Sequence, residues 1–167
     1  MLQVYTGTGK GKTTASLGLA IRASGAGLKV YIGQFVKKGC YSELKLLKKI
    51  KNITLEQYGR GCFIKAKPTA LDHKLAKAGL FKALNAICSS KYQMVILDEI
   101  NIVLSLGAID LEDVVNIIKN TPKKTELVFT GRNAHPKIIA MADLVSEIID
   151  KKHYYQKGVK ARKGIEF

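Results

Sequence analysis

The chain has 167 residues and a formal net charge of +15, and its length is typical of one domain that buries a real core. Its three cysteines form no Cys-x-x-Cys pair, which argues against a disulfide framework or a zinc knuckle, and no apolar run approaches the roughly 20 residues of a membrane-spanning helix. We therefore expect a soluble, cytoplasmic protein with no membrane partner, folded as a single domain over residues 1–167.

The first predicted elements are a short buried strand over residues 2–5 and a glycine-rich loop that follows it directly. In such a loop, glycine N–H groups close around polyphosphate oxygens, a lysine reaches the same oxygens, and a threonine hydroxyl holds Mg²⁺. A helical pattern begins near residue 15, so the loop has the strand–loop–helix context that this motif needs. The candidate nucleotide-binding residues are Gly7, Thr8, Gly9, Lys10, Gly11, Lys12, Thr13 and Thr14.

The spacing of this loop departs from the usual pattern. That pattern has a glycine five residues before Gly11, where this chain has Thr6. The nearest candidate is Gly7, which makes the loop one residue shorter. The sequence therefore predicts nucleotide binding without predicting the usual pose of the nucleotide.

Further along the chain, apolar β-branched runs alternate with helical patterns. The later predicted strands lie over residues 30–35, 53–55, 94–97, 127–130 and 144–145. The predicted helices lie near residues 15–24, 42–50, 70–89, 110–120 and 136–141. This alternation predicts a parallel sheet with helices on both faces. Together with the phosphate loop, it predicts an α/β, P-loop NTPase (RecA-like) three-layer fold with a mainly parallel sheet of about six strands.

Two adjacent carboxylates, Asp98 and Glu99, end the predicted strand over residues 94–97. An acidic strand end of this kind partners a phosphate loop, because a carboxylate supports the Mg²⁺ that bridges the phosphates. Adjacent side chains point in different directions, so we expect different tasks. One would serve the metal shell through water or Thr13, and the other would touch the metal or polarise a reactant.

Arg132 follows the predicted strand over residues 127–130. Ligands of parallel sheets collect at the carboxyl ends of the strands, where this guanidinium would neutralise charge on a polyphosphate. From the spacing alone, an ordinary surface salt bridge is an equally good interpretation.

Several separate motifs, in the right order, resemble the P-loop type of ATP:corrinoid adenosyltransferase. They span nearly the whole chain, at residues 6–14, 34–37, 97–99, 130–132, 142–147 and 158–167. The shortened phosphate loop is itself a trait of that family. In the family the triphosphate lies along the loop in the reverse sense, which exposes the ribose carbon to the corrin.

The resemblance implies that the Co(I) of a reduced corrinoid attacks the 5′ carbon of ATP and that the whole triphosphate leaves. It implies ATP and a corrinoid as substrates, Mg²⁺ as cofactor, an electron donor that reduces Co(II), and a homodimer. Because Co(I) is already a strong nucleophile, the reaction needs stabilisation of the leaving group and no general base. The expected catalytic residues are Lys12, Thr13, Glu99 and Arg132, and the expected Mg²⁺ ligands are Thr13, Asp98 and Glu99.

The resemblance also implies a segment that covers the lower face of the corrin, here residues 58–64. The expected corrinoid-binding residues are Gly61, Cys62, Phe63 and Ile64. An apolar side chain on that face favours the loss of the axial ligand and keeps water out, and Phe63 is the best candidate for this task. Packing in a core is the alternative role of Phe63.

Two other functions stay open on the sequence alone. One is an ATPase coupled to nucleic acid or to a protein partner, in which Glu99 would polarise an attacking water. The other is a corrinoid carrier or sensor that uses ATP only as a switch. The lysines are spread along the chain without a recognised nucleic-acid motif, which favours a solvated basic surface and makes nucleic acid an unlikely partner.

Overall fold

The computed structural model describes residues 1–39, 41–61 and 67–166. The strands in this part of the chain are β1 (Leu2–Thr6), β2 (Val30–Phe35), β3 (Ile53–Tyr58), β4 (Met94–Asp98), β5 (Glu126–Thr130) and β6 (Leu144–Glu147). The helices are α1 (Lys12–Gly25), α2 (Ser42–Leu47), α3 (Ala70–Cys88), α4 (Ile100–Ser105), α5 (Leu111–Asn120) and α6 (Pro136–Met141), and a 3₁₀ helix covers Tyr154–Lys157.

These strands form one six-stranded sheet in the order β3-β2-β4-β5-β1-β6. Every neighbouring pair is parallel. The prediction of a mainly parallel sheet of about six strands is therefore confirmed, and the observed sheet is parallel throughout. Because all strands run the same way, the loops after β1, β2, β4 and β5 emerge at one edge of the sheet.

The hydrophobic core lies on both faces of the sheet, as expected for a parallel sheet between two helical layers. Side chains alternate along β4, so that Val95 and Leu97 belong to one cluster and Met94 and Ile96 to the other. The first cluster includes buried residues of α3, α4, α5 and α6, and the second includes residues of α1 and α2. The three-layer α/β architecture of a P-loop NTPase-like fold follows from this arrangement.

Some predicted element bounds differ from the observed ones. Helix α1 begins at Lys12, inside the glycine-rich motif, although the helical pattern begins near residue 15. Helix α4, over Ile100–Ser105, has no counterpart among the predicted elements. In the part of the chain that the structure describes, no helix has the length and apolar character required to cross a bilayer.

Candidate functional site

The predicted glycine-rich loop and the predicted carboxylates meet at the carboxyl ends of the central strands. Strands β2, β4, β5 and β1 are neighbours in the sheet. Asp98 ends β4, Thr130 ends β5, Lys37 follows β2, and the loop over residues 7–11 follows β1. Parallel strands bring these positions to the same edge, so residues distant in sequence form one polar cluster.

The glycine-rich loop, residues 7–11, connects β1 to α1. Gly7 and Gly11 have φ angles of 97° and 121°, in the left-handed region that favours glycine. Among the described residues, no side chain caps the start of α1, and its first turn contains no acidic residue. Thr8, Lys10 and Thr14 are exposed around this loop. The first amides of α1 are thus available to an anion, together with the positive end of the helix dipole.

Thr6 stands where the usual pattern has glycine, and its side chain makes a hydrogen bond. It is the last residue of β1, and its hydroxyl accepts a hydrogen bond from the N–H of Ala134 at 3.3 Å. This contact ties the end of β1 to the segment between β5 and α6. Glycine at this position would lack the hydroxyl that makes it.

Lys12 lies at the start of α1 and is only 7% exposed. Its ammonium donates a hydrogen bond to the carbonyl oxygen of Gly9 at 2.6 Å, so the lysine folds back over its own loop. Burial lowers the pKa of Lys12, Glu99 opposes this effect, and the positive charge of Arg132 adds to it. Arg132 is itself exposed, and its charge reaches the cluster from the end of β5.

Asp98 is the centre of the polar cluster, since it is fully buried and accepts four hydrogen bonds from described residues. Two reach Oδ1, from the hydroxyls of Thr13 at 2.9 Å and Thr130 at 2.6 Å. Two reach Oδ2, from the ammonium of Lys37 at 2.7 Å and the amide of Gln34 at 3.2 Å. The carboxylate thereby joins the start of α1 to the ends of three strands.

Glu99 occupies the turn between β4 and α4 and has a different environment from Asp98. Its φ is 65°, a left-handed conformation uncommon for glutamate, and its N–H donates to the Thr130 hydroxyl at 3.0 Å. Burial raises the pKa of Glu99, and the charge of Asp98 raises it further, while Lys37, Lys12 and Arg132 act in the opposite direction. The two adjacent carboxylates therefore differ in burial and in hydrogen bonding, as adjacent positions at a strand end should.

Three further residues belong to this cluster although local sequence patterns predict no role for them: Gln34, Lys37 and Thr130. Gln34 is fully buried near the end of β2, an unusual position for an amide. Lys37 follows β2 closely, and Thr130 is the last residue of β5. The available signal was a polar residue at or just after the end of a predicted apolar strand.

The predicted corrinoid segment lies partly outside the described residues. Gly61 is exposed with φ 84°, whereas Cys62, Phe63 and Ile64 fall in the gap between residues 61 and 67. The described start of this segment is held on one side by Arg60, whose guanidinium donates to both carboxylate oxygens of Asp72 at 2.8 and 2.9 Å. On the other side it packs against the turn after β2, because a Cβ added to Gly59 would lie 2.5 Å from the backbone nitrogen of Lys37.

The cluster provides oxygen atoms that suit Mg²⁺, which prefers oxygen ligands and binds one or two carboxylates together with substrate phosphates. Those oxygens belong to Thr13, Asp98 and Glu99. A cation already lies among them, since the ammonium of Lys37 is 2.7 Å from Asp98 Oδ2 and 3.1 Å from Thr13 Oγ1. Within the described residues, no group of three or more His, Cys, Asp or Glu side chains could hold a metal ion. Water or phosphate oxygens would therefore supply the other ligands of a magnesium ion here.

The chain beyond β6 lies directly on the glycine-rich loop. Gly9 donates its N–H to the carbonyl oxygen of Ile148 at 2.8 Å, and Lys10 donates its N–H to the carboxylate of Asp150 at 3.0 Å. The Lys10 ammonium is 2.8 Å from Glu166 and 2.7 Å from the hydroxyl of Tyr154. Two N–H groups of the loop thus bind the protein's own oxygens, and Lys10 forms an ion pair with a carboxylate.

Comparisons with known proteins show which family this chain resembles. A family model described as "ATP:corrinoid adenosyltransferase BtuR/CobO/CobP" matches residues 1–167. A corrinoid adenosyltransferase of Sinorhizobium sp is 37% identical over 171 residues, which cover 100% of this chain and 80% of that protein. A corrinoid adenosyltransferase of Escherichia coli K12 is 33% identical, over 98% of this chain and 84% of that protein.

Among solved structures, domain III of the Thermotoga maritima replication initiation protein DnaA has a TM-score of 0.43 and 14% identity, covering 89% of this chain and 54% of that one. This likeness is too weak to carry an argument. The family match covers every residue, and the curated relatives match over nearly all of this chain and most of their own length. We conclude that the chain belongs to the BtuR/CobO/CobP family of ATP:corrinoid adenosyltransferases.

Proposed function

We propose that the protein transfers the 5′-deoxyadenosyl group of ATP to the Co(I) of a reduced corrinoid and releases tripolyphosphate. The observation that carries this proposal is the family match over residues 1–167. The polar cluster at the sheet edge supports it, because the glycine-rich loop and the carboxylates of Asp98 and Glu99 lie side by side there.

The reaction moves one electron pair from cobalt to carbon and another onto the leaving group. Co(I) forms a bond to C5′ of ATP and becomes Co(III), while the bond between C5′ and its oxygen breaks and the triphosphate leaves with that electron pair. Cobalt is itself the nucleophile, so no side chain has to remove a proton. The protein has to hold the two substrates in line and stabilise the charge of the departing triphosphate.

The residues proposed for this task surround the glycine-rich loop. Lys10, Lys12 and the first amides of α1 would bind the triphosphate, and Arg132 would add positive charge from the end of β5. Thr13, Asp98 and Glu99 would hold Mg²⁺, which would neutralise charge on the leaving group when bound. Gly7, Thr8, Gly9, Gly11 and Thr14 complete the proposed ATP site.

The corrinoid would lie near the segment that begins at Gly61, with Cys62, Phe63 and Ile64 as the proposed contacts. This proposal is supported by the position of Gly59, which packs against the turn after β2 next to the polar cluster. The segment therefore begins beside the proposed triphosphate site.

We further propose that residues 1–167 act as a single adenosyltransferase domain, that the protein works in the cytoplasm as a homodimer, and that a separate electron donor reduces Co(II) to Co(I). The family resemblance supports these points. The oligomeric state can be tested by measuring the mass of the protein in solution, and the location by fractionating cells.

A product assay tests the proposed function directly. The protein is incubated with ATP, Mg²⁺ and a chemically reduced corrinoid, and the expected products are tripolyphosphate and a light-sensitive adenosylcorrinoid in equal amounts. Release of orthophosphate without any corrinoid would contradict the proposal and indicate an ATPase. Binding of corrinoid and ATP without any product would indicate a carrier or sensor.

A further inference from the structure

The side chain of Lys37 lies between two oxygen atoms of the proposed magnesium site. Its ammonium donates to Asp98 Oδ2 at 2.7 Å and to Thr13 Oγ1 at 3.1 Å. The side chain is 18% exposed, while that of Asp98 is completely buried. The ammonium therefore forms a partly buried bridge between the start of α1 and the end of β4.

We infer that Lys37 is an internal counter-cation that fills the metal position in the nucleotide-free protein and withdraws from it when Mg²⁺ arrives with ATP. This inference rests on the proposed function, since it assumes that Thr13 and Asp98 serve Mg²⁺. Lys37 is thus a positioning residue that holds Asp98 and Thr13 in place until Mg²⁺ and ATP bind.

Charge explains why a cation is needed at this position. Asp98 and Glu99 are adjacent, and Asp98 has no exposed surface. A buried carboxylate is costly unless it is hydrogen-bonded and paired with a positive charge. Thr13, Thr130 and Gln34 give Asp98 neutral donors, and Lys37 gives it its ion-pair partner.

The same geometry prevents the ammonium and a metal ion from sharing the site. Mg²⁺ binds its oxygen ligands at about 2.0–2.1 Å and tolerates little departure from octahedral geometry. An ammonium that stays on Asp98 and Thr13 would compete for the same lone pairs, and two cations so close together repel strongly in a partly buried site. The triphosphate that arrives with Mg²⁺ supplies new anionic oxygens, which can accept the released ammonium.

The backbone turn before Lys37 orients its side chain toward Asp98. Val36 has a φ of 53°, which is rare and strained for a β-branched residue. Its N–H donates to the carbonyl oxygen of Tyr58 at 3.1 Å, and a Cβ on Gly59 would lie 2.4 Å from the carbonyl carbon of Val36. The end of β3 therefore holds the turn at Val36, and this turn directs Lys37 back toward Asp98.

The test measures metal binding without nucleotide, corrinoid or turnover. Lys37→Met removes the ammonium and keeps most of the apolar side chain, while Lys37→Gln also keeps a hydrogen-bond donor. Lys38→Met is the matched control, because Lys38 is the exposed neighbour and its loss changes the net charge equally. Thermal unfolding of the four proteins is followed with and without Mg²⁺ at millimolar concentration.

We expect both Lys37 variants to unfold at lower temperature than wild type without Mg²⁺, because Asp98 loses its counter-charge. Mg²⁺ should raise their Tm by at least about 4 °C more than it raises the Tm of wild type or of Lys38→Met. Mn²⁺ titrations followed by electron paramagnetic resonance should show at least about tenfold tighter binding to Lys37→Met, because a like charge has been removed from the site.

An equal response of all four proteins to Mg²⁺ would overturn the inference. So would Lys37 variants that stay unfolded even with Mg²⁺, because the metal would then be unable to replace the ammonium. The test is separate from the product assay: wild type can form adenosylcorrinoid while the Lys37 variants gain no metal affinity, and the metal response can appear in a protein that forms no product.

Discussion

Asp98 shows how single side chains set the chemistry of this site. A fully buried carboxylate is stable only if the donors around it are in place, and here they come from Thr13, Gln34, Lys37 and Thr130. Three of these four donors are neutral, and only the ammonium of Lys37 carries a positive charge. The balance at Asp98 therefore changes most when a cation enters or leaves.

The first prediction concerns Lys12 and Thr13. Lys12→Ala and Thr13→Ala should each reduce kcat by about 10²–10³-fold, because each removes a group that would stabilise the charged leaving group. The fold should survive, because the loop lies at a strand end. Circular dichroism with titrated ATP and a product assay check this, and Lys29→Ala, an exposed lysine before β2, serves as the control. Wild-type ATP affinity and turnover in both variants would contradict the assignment.

The second prediction separates two uses of Glu99. If Glu99 is a metal ligand, the Glu99→Gln variant should need more Mg²⁺ for half-maximal rate, and added Mg²⁺ should restore part of the activity. If Glu99 is instead the base of a hydrolase, the variant should bind ATP and Mg²⁺ normally yet leave ATP intact. A Mg²⁺ titration of the variant decides, and an unchanged Mg²⁺ response with ATP left intact would count against the proposed role.

The raised pKa of Glu99 predicts that the Mg²⁺ requirement also depends on pH. Burial and Asp98 raise its pKa, so the carboxyl group becomes protonated at a higher pH than an ordinary glutamate. Because only the ionised form binds a metal well, wild type should need more Mg²⁺ as the pH falls toward that raised pKa. Glu99→Gln should lack this dependence, which Mg²⁺ titrations at several pH values would reveal.

The site residues divide into those that local patterns predict and those that need the folded sheet. Lys12 and Thr13 belong to one contiguous motif, and Asp98 directly ends an apolar strand, so the sequence alone indicates them. Lys37 and Thr130 follow two other strands, and their tasks depend on the sheet order that makes β2, β4 and β5 neighbours. Sequence patterns do not contain that order.

At the level of elements, helices and strands whose limits are marked in the sequence have the predicted bounds. A helix that begins after an unusual turn is not predicted. Strand β2 and helix α6 have the predicted bounds, because an apolar run and a proline mark their limits. Helix α4 is not predicted from the sequence because it follows β4 after a single residue. Glu99 makes that break by adopting a left-handed conformation, which no glycine, asparagine or proline announces in the sequence.

The start of α3 is the element that anchors the described end of the proposed corrinoid segment. Thr69 and Asp72 form a capping box, in which the Thr69 hydroxyl accepts from the Asp72 N–H and the Asp72 carboxylate accepts from the Thr69 N–H. The same carboxylate binds Arg60, one residue before Gly61. Stability of this helix end and the position of the segment are therefore linked.

The third prediction tests this link through pH. Burial on its own would raise the pKa of Asp72, but the hydrogen bonds from Arg60 and Thr69 prevail and lower it from 3.8 to about 2. A lowered pKa means that this carboxylate stabilises the fold above pH 3.8 and that the contribution is lost as the pH falls toward 2. Asp72→Asn should lose this part of the acid dependence.

Denaturant unfolding between about pH 2 and 5 checks this prediction, with Asp113→Asn as the control in the exposed first turn of α5. Thr69→Ala should cost about 1 kcal/mol at neutral pH, the usual value of a lost helix cap. Identical acid dependence in wild type and Asp72→Asn would show that the bonds to Asp72 contribute nothing to folding.

Across the whole molecule, the segment after β6 connects the C-terminal part of the chain to the glycine-rich loop. A Cβ added to Gly7 would lie 2.3 Å from the carbonyl oxygen of Ile148, so this glycine permits a close approach of two backbones. Asp150 and Glu166 place two carboxylates at the N–H and the ammonium of Lys10. Negative charge from the protein itself thus occupies groups that we propose for the triphosphate.

The last prediction follows from this competition at Lys10. Glu166→Gln should bind Mg·ATP a few-fold more tightly than wild type, because Lys10 no longer has to leave an ion pair before it binds phosphate. The gain should disappear at high salt, where exposed ion pairs are screened. Glu112→Gln is the matched control, since Glu112 forms an exposed ion pair with Lys137 at 2.9 Å and its loss changes the net charge equally. Isothermal titration of each protein at low and high salt measures the effect. Weaker binding by Glu166→Gln alone would show the opposite relation, in which the carboxylate holds Lys10 in place for the nucleotide.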